Sequence, residues 1–291
     1  MSAPDALASS FCEMTSCDIA TAKYYLSMAQ NDVNVAIGLY FDSGGAPAPT
    51  GAEAATSVLS LPQRVEVHWS SGVTFSANKG TMSQFSFEDG RSACTTIACE
   101  ASMLLLEHDS VEKTVGTEIS DPDFVLKVVT EGVNQYRAQN AERSGGVEHQ
   151  SCHEVLLANK KYSETLESCG YEQSNTSIPN AFCNELKRAL ETSKNCGGLC
   201  CVITKPPETM VVGVHPPTGA FPQGHFTVFD SHPRPSLMFQ GAFMVGFNSA
   251  DATASFLREI FPAVEGLGSS MMAQMYNSFD MTMLRKKKAT E

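Results

Sequence analysis

Along the first forty residues the large apolar side chains recur at helical spacing in three short runs. They are Leu7, Phe11 and Met14; then Ala22, Tyr25, Leu26 and Ala29; then Val33, Ala36, Ile37, Tyr40 and Phe41. Spacings of three and four place each run on one face of a helix. Asp18 and Asn31 stand where the N-caps of the second and third helices belong, and Gly44 where a helix stops. The pattern predicts a three-helix module over residues 1–43. "SGGAPAPTGAEAATS", Ser43 to Ser57, lacks large side chains and reads as a linker over 44–57.

From residue 58 onward the period changes twice. "RVEVHWSSGVTFSA" alternates as a strand does, after which "SACTTIACEASMLLLEHD", "SDPDFVLKVVTEGVNQYRAQ", "HQSCHEVLLANKKYSETLESCG" and "NAFCNELKRALETS" read as helices. Ser120 or Asp121 followed by Pro122 is a helix start. Then "GLCCVITK", "MVVGVH", "HFTVFDSH" and "SLMFQGAFMVGF" read as closely spaced strands, and "SADATASFLREIF", capped by Ser249, returns to helix. Helices first and strands later predict a segregated α+β fold over 58–291.

The formal charge of −12 argues against a nucleic-acid or anionic-membrane surface, since either needs a basic field. No apolar run approaches the ~20 residues that span a bilayer. Asp5, Glu13 and Asp18 near the start are unlike a secretory leader, so the expectation is a cytoplasmic, monomeric protein. The basic "LRKKKATE" reads as a solvated tail and leaves the nucleus open as a second location. Ten cysteines without a secretory leader are expected to be reduced thiols, one of them a candidate nucleophile.

Cys94 is that candidate. It follows the Gly-containing stretch "FEDGRS" and opens a predicted helix, where unpaired amides and the helix dipole favour a thiolate. Cys99, Cys183, Cys200 and Cys201 lie in apolar runs and read as small buried hydrophobes. A thiol nucleophile needs a base and a group to orient it. In "GHFTVFDSHPRP", strand alternation places Asp230 and His232 on one face, ~7 Å apart at Cα, within reach of a carboxylate–imidazole bond. His225 lacks such an acid and ranks second. Gln84, upstream of Cys94, could donate to an oxyanion beside the Cys94 backbone N–H. Cys152, His153, Cys196, Cys200 and Cys201 are of the residue types that bind zinc. No paired Cys-x-x-Cys hooks occur, and neighbouring strand residues 200 and 201 face opposite ways, so no metal and no cofactor is expected.

Two resemblances join these readings. "FCEMTSCDIATAKYYLSMAQNDVNVAIGLYFDSGG" resembles a UBA-like domain, which implies ubiquitin contact through Met14, Thr15, Leu39 and Tyr40. "GTMSQFSFEDGRSAC" with "FDSHPRP" resembles the cysteine deubiquitinase domain of herpesvirus large tegument proteins, a papain-like fold. Gly80, Thr81 and Gln84 match its Gly-Thr-x-x-Gln segment, Cys94 its nucleophile, and Asp230 and His232 its Asp-x-His pair. The resemblance implies Cys94 as nucleophile, His232 as base, Asp230 as orienter and Gln84 as oxyanion donor. Ala93 departs from the Gln common in that family, and residues 109–193 form a helical insert without a counterpart. The expectation is a deubiquitinase acting on ubiquitin or polyubiquitin, its rivals an inactive ubiquitin-binding adaptor and a peptidase for a ubiquitin-like modifier.

Overall fold

Asp18 starts the second of the three expected helices, here α1 (Ile19–Met28), by accepting the Thr21 amide on Oδ1 at 2.8 Å. The structure is a computed structural model, and it describes residues 7–9, 11, 12, 15, 17–28, 36, 37, 40, 72–107, 121–141, 149–264, 274 and 276–288. The chain divides into two units, Met1–Val65 and Glu66–Glu291.

In the first unit the described parts of all three apolar runs are helical. Phe11, Tyr25 and Tyr40 pack ring to ring, with centroids 6.4, 5.7 and 5.4 Å apart. Ala8, Ala22, Leu26 and Ala36 fill the space around them. Small residues at the contacts let three short helices close on a few aromatics, which supply most of the apolar area in so small a core. Asn31, Gly44 and the linker at 44–57 lie outside the described residues.

The second unit is built on one seven-stranded antiparallel sheet. Its strands are β1 (Val73–Asn78), β2 (Leu166–Asn175), β3 (Leu199–Lys205), β4 (Glu208–His215), β5 (His225–Asp230), β6 (Phe243–Phe247) and β7 (Ser278–Lys286). They lie in the order β1-β6-β5-β4-β3-β7-β2. Helices cover both faces. On one side lie α2 (Cys94–Glu107), α3 (Pro122–Ala141), α4 (Cys152–Ala158) and α5 (Lys160–Thr165), packed on Cys200, Val202, Val211, Phe229 and Met244. On the other lie α6 (Ala181–Ser193) and α7 (Ala250–Ile260), packed on Cys201, Val212, Val214, Phe226 and Val228. Double coverage explains why β5 and β6 are buried at every position.

Several expectations hold at the level of single caps. Asp121 accepts the Asp123 amide ahead of Pro122, and Ser249 accepts the Ala252 amide. Others do not. The segment expected to be helical through Gly170 ends its helices at Thr165 and continues as β2, because the strand β7, more than a hundred residues away, pairs with it from Leu166↔Lys286 to Asn175↔Ser278. The basic tail is likewise not free: Leu284 to Lys286 belong to β7, Arg285 Nε donates to Glu167, and Lys287 Nζ donates to the Ser163 carbonyl. Among the described residues no helix is long and apolar enough to cross a membrane.

Candidate active site

Two short 3₁₀ turns, Gln84–Ser86 and Gly90–Ser92, lead into α2 and set its first residue. Ala93 N–H closes on Gly90 O, and Ile97 N–H then makes the first α-helical bond, to Ala93 O. Cys94 is thus the first helical residue, where unpaired amides favour an anion. It is 2% exposed, and its sulfur lies 3.9 Å from the Pro207 carbonyl oxygen, at the turn that enters β4. Burial alone would push the thiol up, but hydrogen bonds with His149 and His232 and the charge of His232 bring it down to about 6.

The base is presented from the far end of β5. The strand stops at Asp230, and residues 231 and 232 turn away, so His232 is not on the strand face that spacing predicts. The pair forms by a different route. Asp230 Oδ1 accepts from the backbone N–H of His232 at 2.9 Å and meets His232 Nδ1 at 2.6 Å, an Asx turn in which one oxygen fixes both peptide and ring. That leaves Nε2 toward Cys94. Burial disfavours the imidazolium, but the charges of Asp230 and Glu208 outweigh it and raise His232 to about 10. Asp230, fully buried, is opposed by desolvation yet held near 2 by Arg234 and His232.

Gln84 reaches the same point from the first turn, 1% exposed. Its backbone N–H donates to Ser231 O at 3.2 Å, and its Oε1 accepts from Ser231 Oγ at 2.7 Å. Its Nε2 lies 3.2 Å from both Arg91 O and His232 Nε2. Ala242 N–H donates to Met82 O, tying this loop to the start of β6. The four residues singled out from the sequence therefore converge.

Four further side chains join the site. Arg234 Nε donates to Asp230 Oδ2 at 2.9 Å, and its Nη2 donates to Glu208 Oε2 at 2.6 Å. The first joins residues four apart, and the second follows from β4 lying beside β5. His149, exposed just ahead of α4, has its pKa raised, and interaction with the Cys94 thiol is the first cause. A histidine in "EHQSCHE" gives no local sign of that role. Phe85 adds a partly exposed ring 5.8 Å from that of His232.

The alternatives separate clearly. His225 sits at the opposite end of β5, paired in register with His215. Its Nε2 shares a hydrogen bond with Thr74 Oγ1, and burial, then His215, push it down to about 3. Cys99, Cys183, Cys200 and Cys201 are buried, with burial pushing Cys200 up to about 12. Cys200 and Cys201 pack on opposite faces of the sheet. Among the described residues no three His, Cys, Asp or Glu side chains gather as metal ligands. Of the residues expected to touch ubiquitin, Met14 and Leu39 lie outside the described residues. Thr15 Oγ1 is turned to the Phe11 carbonyl and Cys17 Sγ, and Tyr40 packs into the aromatic core, half-buried.

A family model described as "UBA-like domain" matches residues 5–47. The fold resembles the crystal structure of the ubiquitin-specific protease encoded by murine cytomegalovirus tegument protein M48, solved with a ubiquitin-based suicide substrate. The TM-score is 0.50 at 10% identity, covering 74% of this chain and 88% of that one. A Pseudomonas avirulence protein, AvrPphB, matches at TM-score 0.35 and 8% identity over 68% of this chain and 94% of that one. No curated protein matches the sequence. The chain has a papain-like cysteine protease fold with a UBA-like domain at its N-terminus.

Proposed function

We propose that the protein is a cysteine deubiquitinase in which Cys94 is the nucleophile, His232 the general base and acid, Asp230 its orienter and Gln84 an oxyanion donor. The observation that carries this reading is the convergence of these four side chains at the start of α2. With the thiol near 6 and the imidazole near 10, the thiolate–imidazolium pair prevails across neutral pH. The thiolate attacks the carbonyl of the bond between a ubiquitin C-terminal glycine and a lysine. His232 passes its Nε2 proton to the leaving lysine amine, and the resulting neutral ring then takes a proton from water as it hydrolyses the thioester.

Gln84 suits the cycle. While Nε2 carries a proton, the Gln84 amide proton that faces it has no acceptor there and is available to a developing oxyanion beside the Cys94 N–H. When the ring is neutral, the same proton holds the base in place. The UBA-like module, a domain type that supports ubiquitin capture, would raise the local concentration of conjugates at the thiol.

A ubiquitin derivative bearing a C-terminal electrophile tests the reading. The expected result is a single covalent adduct on Cys94, absent in Cys94→Ala. No adduct with the unaltered protein, beside ready reaction with a probe built on a ubiquitin-like modifier, would move the assignment to that modifier. A second test concerns the loop. A Cβ on Gly90 would lie 1.9 Å from the Gln84 carbonyl oxygen, a backbone atom that no side-chain rotation can move aside, so the two 3₁₀ turns must separate. Gly90→Ala is expected to lower kcat roughly 100-fold, the cost of about 1 Å of misplacement, with KM little changed.

A further inference from the structure

Five ionisable groups lie in one row beneath the site, alternating in sign when the thiol is ionised: Cys94, His232, Asp230, Arg234 and Glu208. The distances along its inner part are 2.6, 2.9 and 2.6 Å. The two oxygens of Asp230 have separate duties. Oδ1 receives the ring and peptide of His232, and Oδ2 receives Arg234 Nε. A carboxylate held at one oxygen can rotate, whereas one held at both cannot without breaking a charge-assisted bond.

Arg234 is itself fixed. It is 7% exposed, its guanidinium lies 5.7 Å from the centre of the Phe261 ring, and its backbone bonds in both directions with Phe239 at 2.7 and 3.0 Å. A bare guanidinium in that position would draw the field of Asp230 away from His232. Glu208, at the first position of β4 and next to the Pro207 carbonyl that faces Cys94, offsets it. A buried cation between two carboxylates keeps both desolvated acids ionised and leaves a net negative field at the ring.

We infer that Arg234 and Glu208 are positioning residues: Arg234 locks the carboxylate of Asp230 in the rotamer that orients His232, and Glu208 compensates its charge, so that the Cys94 thiolate depends on residues that never meet substrate. The inference rests on Cys94 and His232 forming the catalytic pair. It differs from a packing role in one respect. Packing would affect stability alone, while positioning must also change the titration of Cys94.

Iodoacetamide alkylation of Cys94 in the full chain, followed by peptide mass against pH, reads that titration without any ubiquitin substrate. Other groups facing the pair are His149 and the Gln84 amide, both unchanged in the variants. In the unaltered protein the rate is expected to rise through about pH 6. Glu208→Gln removes a charge that favours the imidazolium, so His232 binds its proton less tightly and the thiolate forms at higher pH. Its midpoint is expected to rise by about one unit, and the alkylation rate below the midpoint to fall about tenfold. Arg234→Met keeps the unbranched stem over Phe261 and removes a cation, which by charge alone would lower the midpoint; a rise is expected instead, because the Asp230 carboxylate is freed to turn away from His232, with Arg234→Lys recovering part of that rise, and a fall would overturn the positioning role of Arg234. If both Glu208→Gln and Arg234→Met keep the original midpoint, the inference is overturned. A midpoint near ~8.5 in the unaltered protein, the value of a free thiol, overturns the catalytic reading instead. Should Arg234→Met lose its cooperative unfolding, Glu208→Gln, at the less buried end of the row, decides alone.

Discussion

Replacing His232 with alanine is expected to lower turnover of a ubiquitin conjugate by about a thousandfold, within the range attributed to a positioned general acid–base, while His225→Ala leaves it within a few-fold. Both histidines are buried and lie seven residues apart, so the contrast isolates position from residue type. His232 has its Nδ1 on Asp230 and its Nε2 on the Cys94 side. His225 is neutral at the other end of the strand, against Thr74, Phe75 and Phe221. The comparison is made per folded molecule, because loss of the His225 ring leaves a cavity beneath Phe221. Equal losses in the two variants, or a larger loss in His225→Ala, would remove His232 from the mechanism.

Asp230→Asn carries the second large effect, and it acts on rate and stability together. An asparagine has one acceptor where the aspartate has two, and Oδ1 and Oδ2 each face a donor. If the amide nitrogen turns to His232, it donates to Nδ1 and forces the ring proton onto Nε2, the wrong tautomer for accepting a proton from the thiol. If it turns to Arg234, it sets donor against donor and strips the guanidinium of a buried counter-charge. Either outcome is expected to reduce kcat by about 10³- to 10⁴-fold. Removing one member of a buried ion pair also costs about 3–5 kcal/mol. Chemical denaturation should show that loss directly. A variant with unaltered midpoint and near-normal kcat would mean that Asp230 neither orients His232 nor anchors Arg234.

What could be read before the fold was known divides along physical lines. Cys94 was legible because a loop ending in a helix start is a local pattern, and the dipole that favours its thiolate belongs to the helix alone. Asp230 and His232 were found for a partly mistaken reason. Alternation on a strand predicts a shared face, whereas the strand ends at Asp230 and an Asx turn brings the ring back. The spacing of two serves both arrangements, so the pair survives the change of geometry. Glu208 and His149 could not be found in this way. Glu208 meets Arg234 because β4 lies beside β5, and His149 meets Cys94 across more than fifty residues. The same limit hid β2 and β7. β2 has no strong apolar pattern, and although Phe279, Met281 and Met283 alternate along β7, the two strands pair with each other over a hundred residues apart.

That pairing has a consequence for the order of assembly. The hairpin of β3 and β4 and the run from β4 to β6 join strands close in sequence, so the core beside the site can form from short-range contacts. β7 is inserted between β3 and β2, and among the described strands β2 pairs with nothing else. During synthesis β2 must wait for residues 278–286 to leave the ribosome, while β3 shows an unpaired edge. The segment that holds His149 and α4 lies just ahead of β2, so β7, made more than a hundred residues later, anchors the chain that carries the second imidazole of the site.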